Sequence, residues 1–387
     1  MAGSIEKRGK NSYRLVCLAG YDLQGKPIKK TKTIHGTKKE AEIELAKFVA
    51  DVQNGMFVEG KSLKFSEFTE IWKRDYASKE LAPSTYKRYC RILETRLLPY
   101  FGHFYINKIK PTDIMHFYDL LSRDTQLVRK KGNNGKKTLK PLSGKTILEH
   151  HRLLRAMLHK AVYWQLIISN PAERVQPPKA RKPKRRYYDD EQCKILLQNL
   201  SSLGEDKIKY KVAIILTIFT GVRLGELMGL EWQDIDLKTG IVSINRSSQY
   251  LADKGVFTKT PKTESSIREV AIPDFVVSLL EQYKLWYDEQ KSFCDELWTD
   301  SNRLLVQADG KPMHPSTVSK WFVNYVGKIG LPVINFHGLR HTNATLLISQ
   351  NIDVAVVAAR LGHAQITTTF NFYVHPIISV SYTHLTL

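Results

Sequence analysis

The sequence predicts an α+β, multidomain fold: a small N-terminal three-stranded sheet with one helix, a helical bundle, and a mainly α domain carrying a small antiparallel sheet. Three observations lead there. Strand-like runs broken by turns fill the first 35 residues, helical periodicity dominates residues 63–175, and mixed helix and strand patterns occupy the chain from residue 185. At 387 residues there is room for two or three cores of ordinary size.

The N-terminal runs SIEKR, SYRLVCLAGYD and PIKKTKTI read as three strands, the last two separated by the turn Gln24-Gly25-Lys26-Pro27. Thr37-Lys38-Lys39-Glu40 reads as a capping box opening a helix through Gln53, which closes a first domain at about residue 58. Arg14, Lys30 and Lys32 interleave with the strand positions, so the sheet could present positive charge to a nucleic-acid groove; a solvated charged face is the plainer reading. Asn54–Lys61, with Gly55 and Gly60, reads as a linker.

Beyond it, Phe65, Phe68, Ile71 and Trp72 form one apolar stripe, and Tyr86, Tyr89, Ile92 and Leu93 a second. Pro111-Thr112-Asp113 opens a third helix with Ile114, Phe117, Tyr118 and Leu121 inward. Ser143 precedes a longer one built on Ile147, Leu154, Met157, Leu158 and Val162, which ends before Asn170-Pro171. Four such helices make a bundle.

Lys plus Arg number 59 against 38 acids, a net charge of +21, which favours a polyanionic partner. Two basic runs stand out. Arg129–Lys145 holds seven basic residues and no acid, Arg129, Lys130, Lys131, Lys136 and Lys137 among them, and Lys179–Arg186 includes Lys184, Arg185 and Arg186. Each is an ordinary solvated loop unless a duplex lies beside it, in which case phosphate contact is expected. Cys17, Cys90, Cys193 and Cys294 are scattered, which suits a reducing compartment and offers no metal framework. The N-terminus has no apolar leader core, and the longest apolar run, Val212–Phe219 with Thr217 inside it, is too short to span a bilayer. The expectation is a soluble, cytoplasmic protein without a membrane partner.

From Tyr187 the chain reads as helices at Glu191–Leu200 and Lys211–Thr220, followed by Thr220-Gly221-Val222-Arg223-Leu224-Gly225-Glu226. Gly221 permits a tight turn, so Arg223 would project where helix N–H groups also favour an anion. Glu226, one turn on, either orients that guanidinium or is a surface glutamate. Strand-like segments follow at Ile241–Asn245 and Ser265–Ile272, and between them Lys254, Lys259 and Lys262 are lysines able to reach a phosphate and protonate a departing oxygen. Phe275–Phe293 reads as a surface helix, Leu304–Val306 as a short strand and Ser316–Val326 as a helix.

The residues Asn335–Pro376 are the most informative. They pack His337, Arg340 and His341 into five positions, place His363 after an apolar run and add Tyr373. A phosphodiester under attack needs its oxygens neutralised, its leaving group protonated and its nucleophile held in line, and these residue types supply those parts. Zinc is a weaker reading, since there is neither an HExxH string nor a close Cys pair.

The ordered set of His337-Gly338-Leu339-Arg340-His341, Leu361-Gly362-His363, a tyrosine ten residues later, and the upstream box from Thr220 through Glu226 to Trp232 and Asp234 resembles the tyrosine recombinases of the phage integrase family. Within it, the chain is most like integrases of Gram-positive phages and conjugative transposons. The resemblance implies Tyr373 as a nucleophile that forms a 3′-phosphotyrosine and releases a 5′-hydroxyl. It implies Arg223 and Arg340 on the non-bridging oxygens, Lys262 as general acid, and His337 and His363 as proton donors or acceptors, with no metal or cofactor. Residues 1–58 would be an arm-type DNA-binding domain, 63–175 a core-binding domain and 185–379 the catalytic domain, working as a homotetramer on double-stranded DNA with core and arm-type sites. An excisionase or host DNA-bending protein is the accessory partner such systems use. Residues 380–387 read as a non-native tail. Two other readings share parts of this pattern: a type IB topoisomerase with the same chemistry, and a non-catalytic DNA-binding antagonist.

Overall fold

The computed structural model describes residues 3–21, 24–53, 63–123, 130–131, 137–138, 141–179, 186–259 and 266–370. The chain divides into two compact units, Met1–Lys182 and Pro183–Leu387, and the mixed α+β architecture expected from the sequence is the one observed.

In the first unit, β1 (Gly3–Gly9), β2 (Ser12–Tyr21) and β3 (Pro27–His35) form an antiparallel sheet in that order, and α1 (Lys38–Gln53) packs on it. The capping box forms as read: the Thr37 N–H donates to Glu40 Oε2 at 2.7 Å and the Glu40 N–H donates to Thr37 Oγ1 at 3.3 Å. Leu15, Cys17, Ala41 and Phe48 make the core. Cross-strand neighbours share a face. Lys32 stands opposite Leu15 and Lys30 opposite Cys17, so both lie on the helix side of the sheet, and Lys32 Nζ donates to Glu44 of α1 at 2.6 Å. Arg14, opposite Glu6 and Thr33, lies on the other side.

The helical segment consists of rods. α2 (Phe65–Trp72) continues through a π turn, Lys73–Ala77, into α3 (Ser78–Glu80); α4 (Pro83–Ile92) continues through a second, Leu93–Leu97, into α5 (Leu98–Phe101). The five-residue step between buried Trp72 and Ala77 matches the wider turn, which keeps both side chains inward. α6 (Pro111–Arg123) and α7 (Gly144–Tyr163) complete the bundle around Phe65, Phe68, Phe101, Phe117 and Met157. Ser143 caps α7, its hydroxyl accepting from the Thr146 N–H at 3.3 Å. Within the basic stretch read as a loop, β4 (Lys130–Lys131) pairs with β5 (Lys137–Thr138).

The second unit is built around α9 (Ile208–Thr220), which follows α8 (Asp190–Ser201). Val212, Ala213, Ile214, Leu216 and Thr217 are buried on successive faces of α9, the pattern of a helix enclosed on all sides. The short α10 (Leu224–Leu227) leads to β6 (Ile235–Asp236), β7 (Ile241–Ile244), β8 (Ser247–Leu251), β9 (Gly255–Lys259) and β10 (Arg268–Ala271). β10, β7 and β6 form one sheet, whereas β8 and β9 form a separate hairpin that polar Ser, Gln and Lys positions hid from sequence reading. α11 (Asp274–Cys294), α12 (Pro315–Lys328), α13 (His337–Ser349), α14 (Val354–Leu361) and α15 (Ile366–Thr369) complete the described part. Instead of the short strand expected at Leu304–Val306, single bridges join Arg303 to Glu231 and Val306 to Pro312. Trp232 packs against Tyr283, ring centroids 5.6 Å apart, as a core side chain.

Candidate active site

Gly221 ends α9 in the left-handed conformation, φ 67°, its N–H donating to Thr217 O at 3.0 Å. A Cβ there would meet Leu361 Cδ2 at 2.5 Å and Asn343 Oδ1 at 2.7 Å, so only glycine brings this turn so close to α13 and α14. Two residues on, Arg223 caps α10. Glu226 receives the Arg223 N–H at 3.0 Å, Arg223 Nη1 at 2.6 Å and Arg268 Nη2 at 2.8 Å. Burial works to raise the Glu226 pKa, but the hydrogen bond and charge of Arg268, with the Arg223 N–H and charge, together leave it below the usual carboxylate range. Glu226 is therefore the orienting carboxylate, and it is an anion at neutral pH.

At the start of α13, Asn335 Oδ1 accepts the Gly338 N–H at 2.9 Å, and Gly338 leaves room for Arg186 O, which a Cβ would meet at 3.0 Å. His337 is thereby set on an exposed helix end, its ring 4.8 Å from that of buried His341. Arg340 is 1 % exposed; its Nη1 donates to Gly221 O at 2.7 Å and its Nη2 to Leu361 O at 2.6 Å.

The C-terminus of α14 gathers these groups. Gly362 is left-handed, φ 65°, and the His363 N–H returns to Ala358 O at 3.0 Å, closing the helix and placing the His363 ring beside the arginines. Its last carbonyls, which have no partner inside the helix, accept from three different guanidiniums: Arg360 O from Arg268 Nε at 2.7 Å, Leu361 O from Arg340 at 2.6 Å and Gly362 O from Arg223 Nη2 at 3.1 Å. The negative end of the helix dipole complements that concentration of positive charge. His363 Nδ1 pairs with the Thr369 hydroxyl at 2.7 Å. Burial first, then the charges of Arg340, Arg223 and Arg268 with His337 nearby, push its pKa down to about 4, so it is neutral at pH 7.

Arg223, Arg340, His337 and His363 are thus drawn toward one place. Lys262 lies outside the described residues, between the ends of β9 and β10, and Tyr373 lies outside them beyond α15. Arg129, Lys136, Lys184 and Arg185 also lie outside; Lys130, Lys131 and Lys137 are described as β4–β5 backbone, and Arg186 is exposed. Sequence reading missed Arg268 and Arg360, whose Nη2 donates to Phe219 O at 2.7 Å and Ala271 O at 3.0 Å. For Arg268 a signal existed: it sits two positions before buried Val270, on the same strand face. Among the described residues no three His, Cys, Asp or Glu side chains lie together as metal ligands, and no helix is long and apolar enough to cross a membrane.

The phage integrase family model matches residues 186–378, and the N-terminal SAM-like domain model of phage integrases matches residues 64–122. The chain belongs to the phage integrase family of tyrosine recombinases. It is a site-specific DNA recombinase of the kind carried by mobile elements. The recombinase is 27 % identical over 378 residues to the ICEBs1 integrase of Bacillus subtilis, covering 96 % of this chain and 95 % of that protein. It is 26 % identical over 392 residues to a tyrosine recombinase XerC-like protein of Caldanaerobacter subterraneus subsp. tengcongensis, covering 96 % and 94 %. Its fold matches the Tn1549 transposon integrase, solved with transposon right end DNA, with a TM-score of 0.65 at 20 % identity over 84 % of this chain and 100 % of that one. It also matches lambda integrase, solved as a tetramer on a Holliday junction, with a TM-score of 0.55 at 16 % identity over 95 % and 94 %.

Proposed function

We propose that the recombinase cleaves double-stranded DNA through Tyr373, forming a 3′-phosphotyrosine and releasing a 5′-hydroxyl, and rejoins the strand to a new partner to integrate or excise its element. The observation that carries this reading is the row of carbonyls at the end of α14, where Arg223 and Arg340 are held on adjacent acceptors beside His363. Two forked guanidiniums there match the non-bridging oxygens of one phosphate. They would share the charge that develops in the transition state.

Each remaining part has a role. A phenol of ordinary pKa near 10 is a poor nucleophile at neutral pH. His363 enters the reaction neutral and accepts the phenolic proton, and the arriving phosphate offsets the arginines that hold its basicity down. With Nδ1 on Thr369, Nε2 is the nitrogen that meets the reacting groups. His337, on the exposed start of α13, donates to a phosphate oxygen. Lys262 protonates the departing 5′-oxygen. Energy kept in the phosphotyrosine ester lets the second strand join without a cofactor.

Charge and length support the wider assembly: a homotetramer on core sites, with the sheet of the N-terminal module on arm-type sites and an excisionase or DNA-bending protein as helper. A topoisomerase would share the cleavage but not exchange strands between duplexes. The test is covalent capture from a randomised pool of nicked duplexes: wild type forms a denaturant-resistant adduct, and Tyr373→Phe forms none. Strand transfer between two captured duplexes then separates recombination from relaxation, and absence of any wild-type adduct overturns the reading.

A further inference from the structure

Arg268 has no assigned part in the chemistry, yet it makes contacts that join both halves of the site. On β10, with a side chain 7 % exposed, it spends Nη2 on Glu226 at 2.8 Å, Nη1 on Ser266 O at 3.0 Å and Nε on Arg360 O at 2.7 Å. Glu226 in turn grips Arg223 through both its guanidinium and its backbone N–H. Arg360 O is the carbonyl just before those that receive Arg340 and Arg223, and His363 closes the same turn. One planar side chain therefore reaches the α10 turn that presents the first catalytic arginine and the α14 turn that presents His363.

We infer that Arg268 is a positioning residue for strand cleavage, fixing Arg223 through Glu226 and the His363 turn through the Arg360 carbonyl. This rests on the cleavage reading proposed above. Three features support it. First, Glu226 takes three donors, and Arg268 and Arg223 are the charged side chains that face it, from β10 and α10 respectively. Without Arg268 the carboxylate would have only Arg223, whose side chain is 38 % exposed, and the arginine meant for phosphate would become the sole counter-ion of a buried anion. Second, the fork geometry matters: a guanidinium can serve Glu226 and two carbonyls at once, which a compact ammonium cannot. Third, Arg360 ties the same helix end to Phe219 O of α9 and Ala271 O of β10, so the α14 terminus is held on the strand that carries Arg268. Arg268 never needs to touch DNA to act.

The experiment is single-turnover cleavage of a nicked duplex obtained by covalent capture with the wild-type chain, measured against pH, alongside equilibrium binding of the same duplex. In Arg268→Gln the cleavage rate constant falls about 10- to 100-fold, the range usual for groups that orient a reacting side chain, while duplex affinity stays within about twofold. The acid limb of the rate profile moves to higher pH, because Glu226 loses its chief stabilising partner and must ionise to hold Arg223. Arg268→Lys recovers the position of the limb, through retained charge, but only part of the rate. Should Arg268→Gln fail to fold, Glu226→Gln/Arg268→Gln removes the stranded charge: it folds, cleaves slowly and lacks the shifted limb. Wild-type rate and profile in Arg268→Gln, or a loss confined to duplex affinity, overturns the inference. Failure of the wild-type chain to capture any duplex instead overturns the cleavage reading on which it stands.

Discussion

Gly221→Ala tests how tightly the turn before Arg223 is specified. The left-handed backbone, φ 67°, costs a non-glycine residue about 1–2 kcal/mol. The new methyl would also sit 2.5 Å from Leu361 Cδ2 and 2.7 Å from Asn343 Oδ1, and crowding of this kind costs about 1–3 kcal/mol in a packed interior. The sum is a loss of about 2–5 kcal/mol in the unit Pro183–Leu387. Gly255 is the internal control, because it has the same backbone, φ 68°, and nothing within 4 Å of its would-be Cβ. Gly255→Ala should therefore cost only the backbone part. Urea unfolding of the two variants beside wild type reads the difference directly. Because Gly221 O accepts Arg340 Nη1 at 2.7 Å, strand cleavage should fall in Gly221→Ala and not in Gly255→Ala. Equal destabilisation by the two changes would refute the claim that close approach of α13 and α14 is what demands glycine at 221.

Other consequences follow from the same geometry. Arg340→Lys leaves one of Gly221 O and Leu361 O without its donor and replaces a forked cation by a point charge, so cleavage should drop by about 10²–10³, read as single-turnover adduct formation. His363 should titrate near 4 rather than at its ordinary 6.5 in the DNA-free chain, and move up when duplex binds; NMR of the imidazole measures both. Since the unfolded chain takes up that proton more readily, the stability His363 confers is complete above about pH 6.5 and is lost as pH falls toward 4. Arg14→Ala should weaken binding of random-sequence duplex and reduce the salt slope by about one. Lys32→Ala should do less, because that ammonium is engaged with Glu44 on the helix side of the sheet.

Local chemistry was the part of this protein most open to sequence reading. The Thr37–Glu40 box, the Ser143 cap, the enclosed helix α9 and the turn at Gly221 each depend on residues a few positions apart, so their spacing carries the information. The strings around Arg223, Arg340 and His363 were readable for the same reason. What escaped was set by contacts between distant parts of the chain. Arg268 meets Arg360 across 92 positions, and Arg340 meets Gly221 across 119, and no periodicity reports such pairs. Strand register had the same effect on the N-terminal module: Lys30, Lys32 and Arg14 look alike in sequence, and only their pairing with Cys17, Leu15 and Thr33 assigns them to faces. The hairpin β8–β9 was obscured because its strands carry too few apolar residues to alternate visibly.

The account depends most on a covalent bond at residue 373 made with Arg223 and Arg340 in attendance. The direct measurement is peptide mapping of the denaturant-resistant adduct from a captured nicked duplex, with Arg223→Ala and Arg340→Ala run beside wild type. The predicted result is a single modified tyrosine, Tyr373, carrying a 3′-phosphate-linked strand, with adduct formation slowed by about 10²–10³ in either arginine variant. A strand attached at any other residue, or adduct formation at the wild-type rate without either guanidinium, would contradict it.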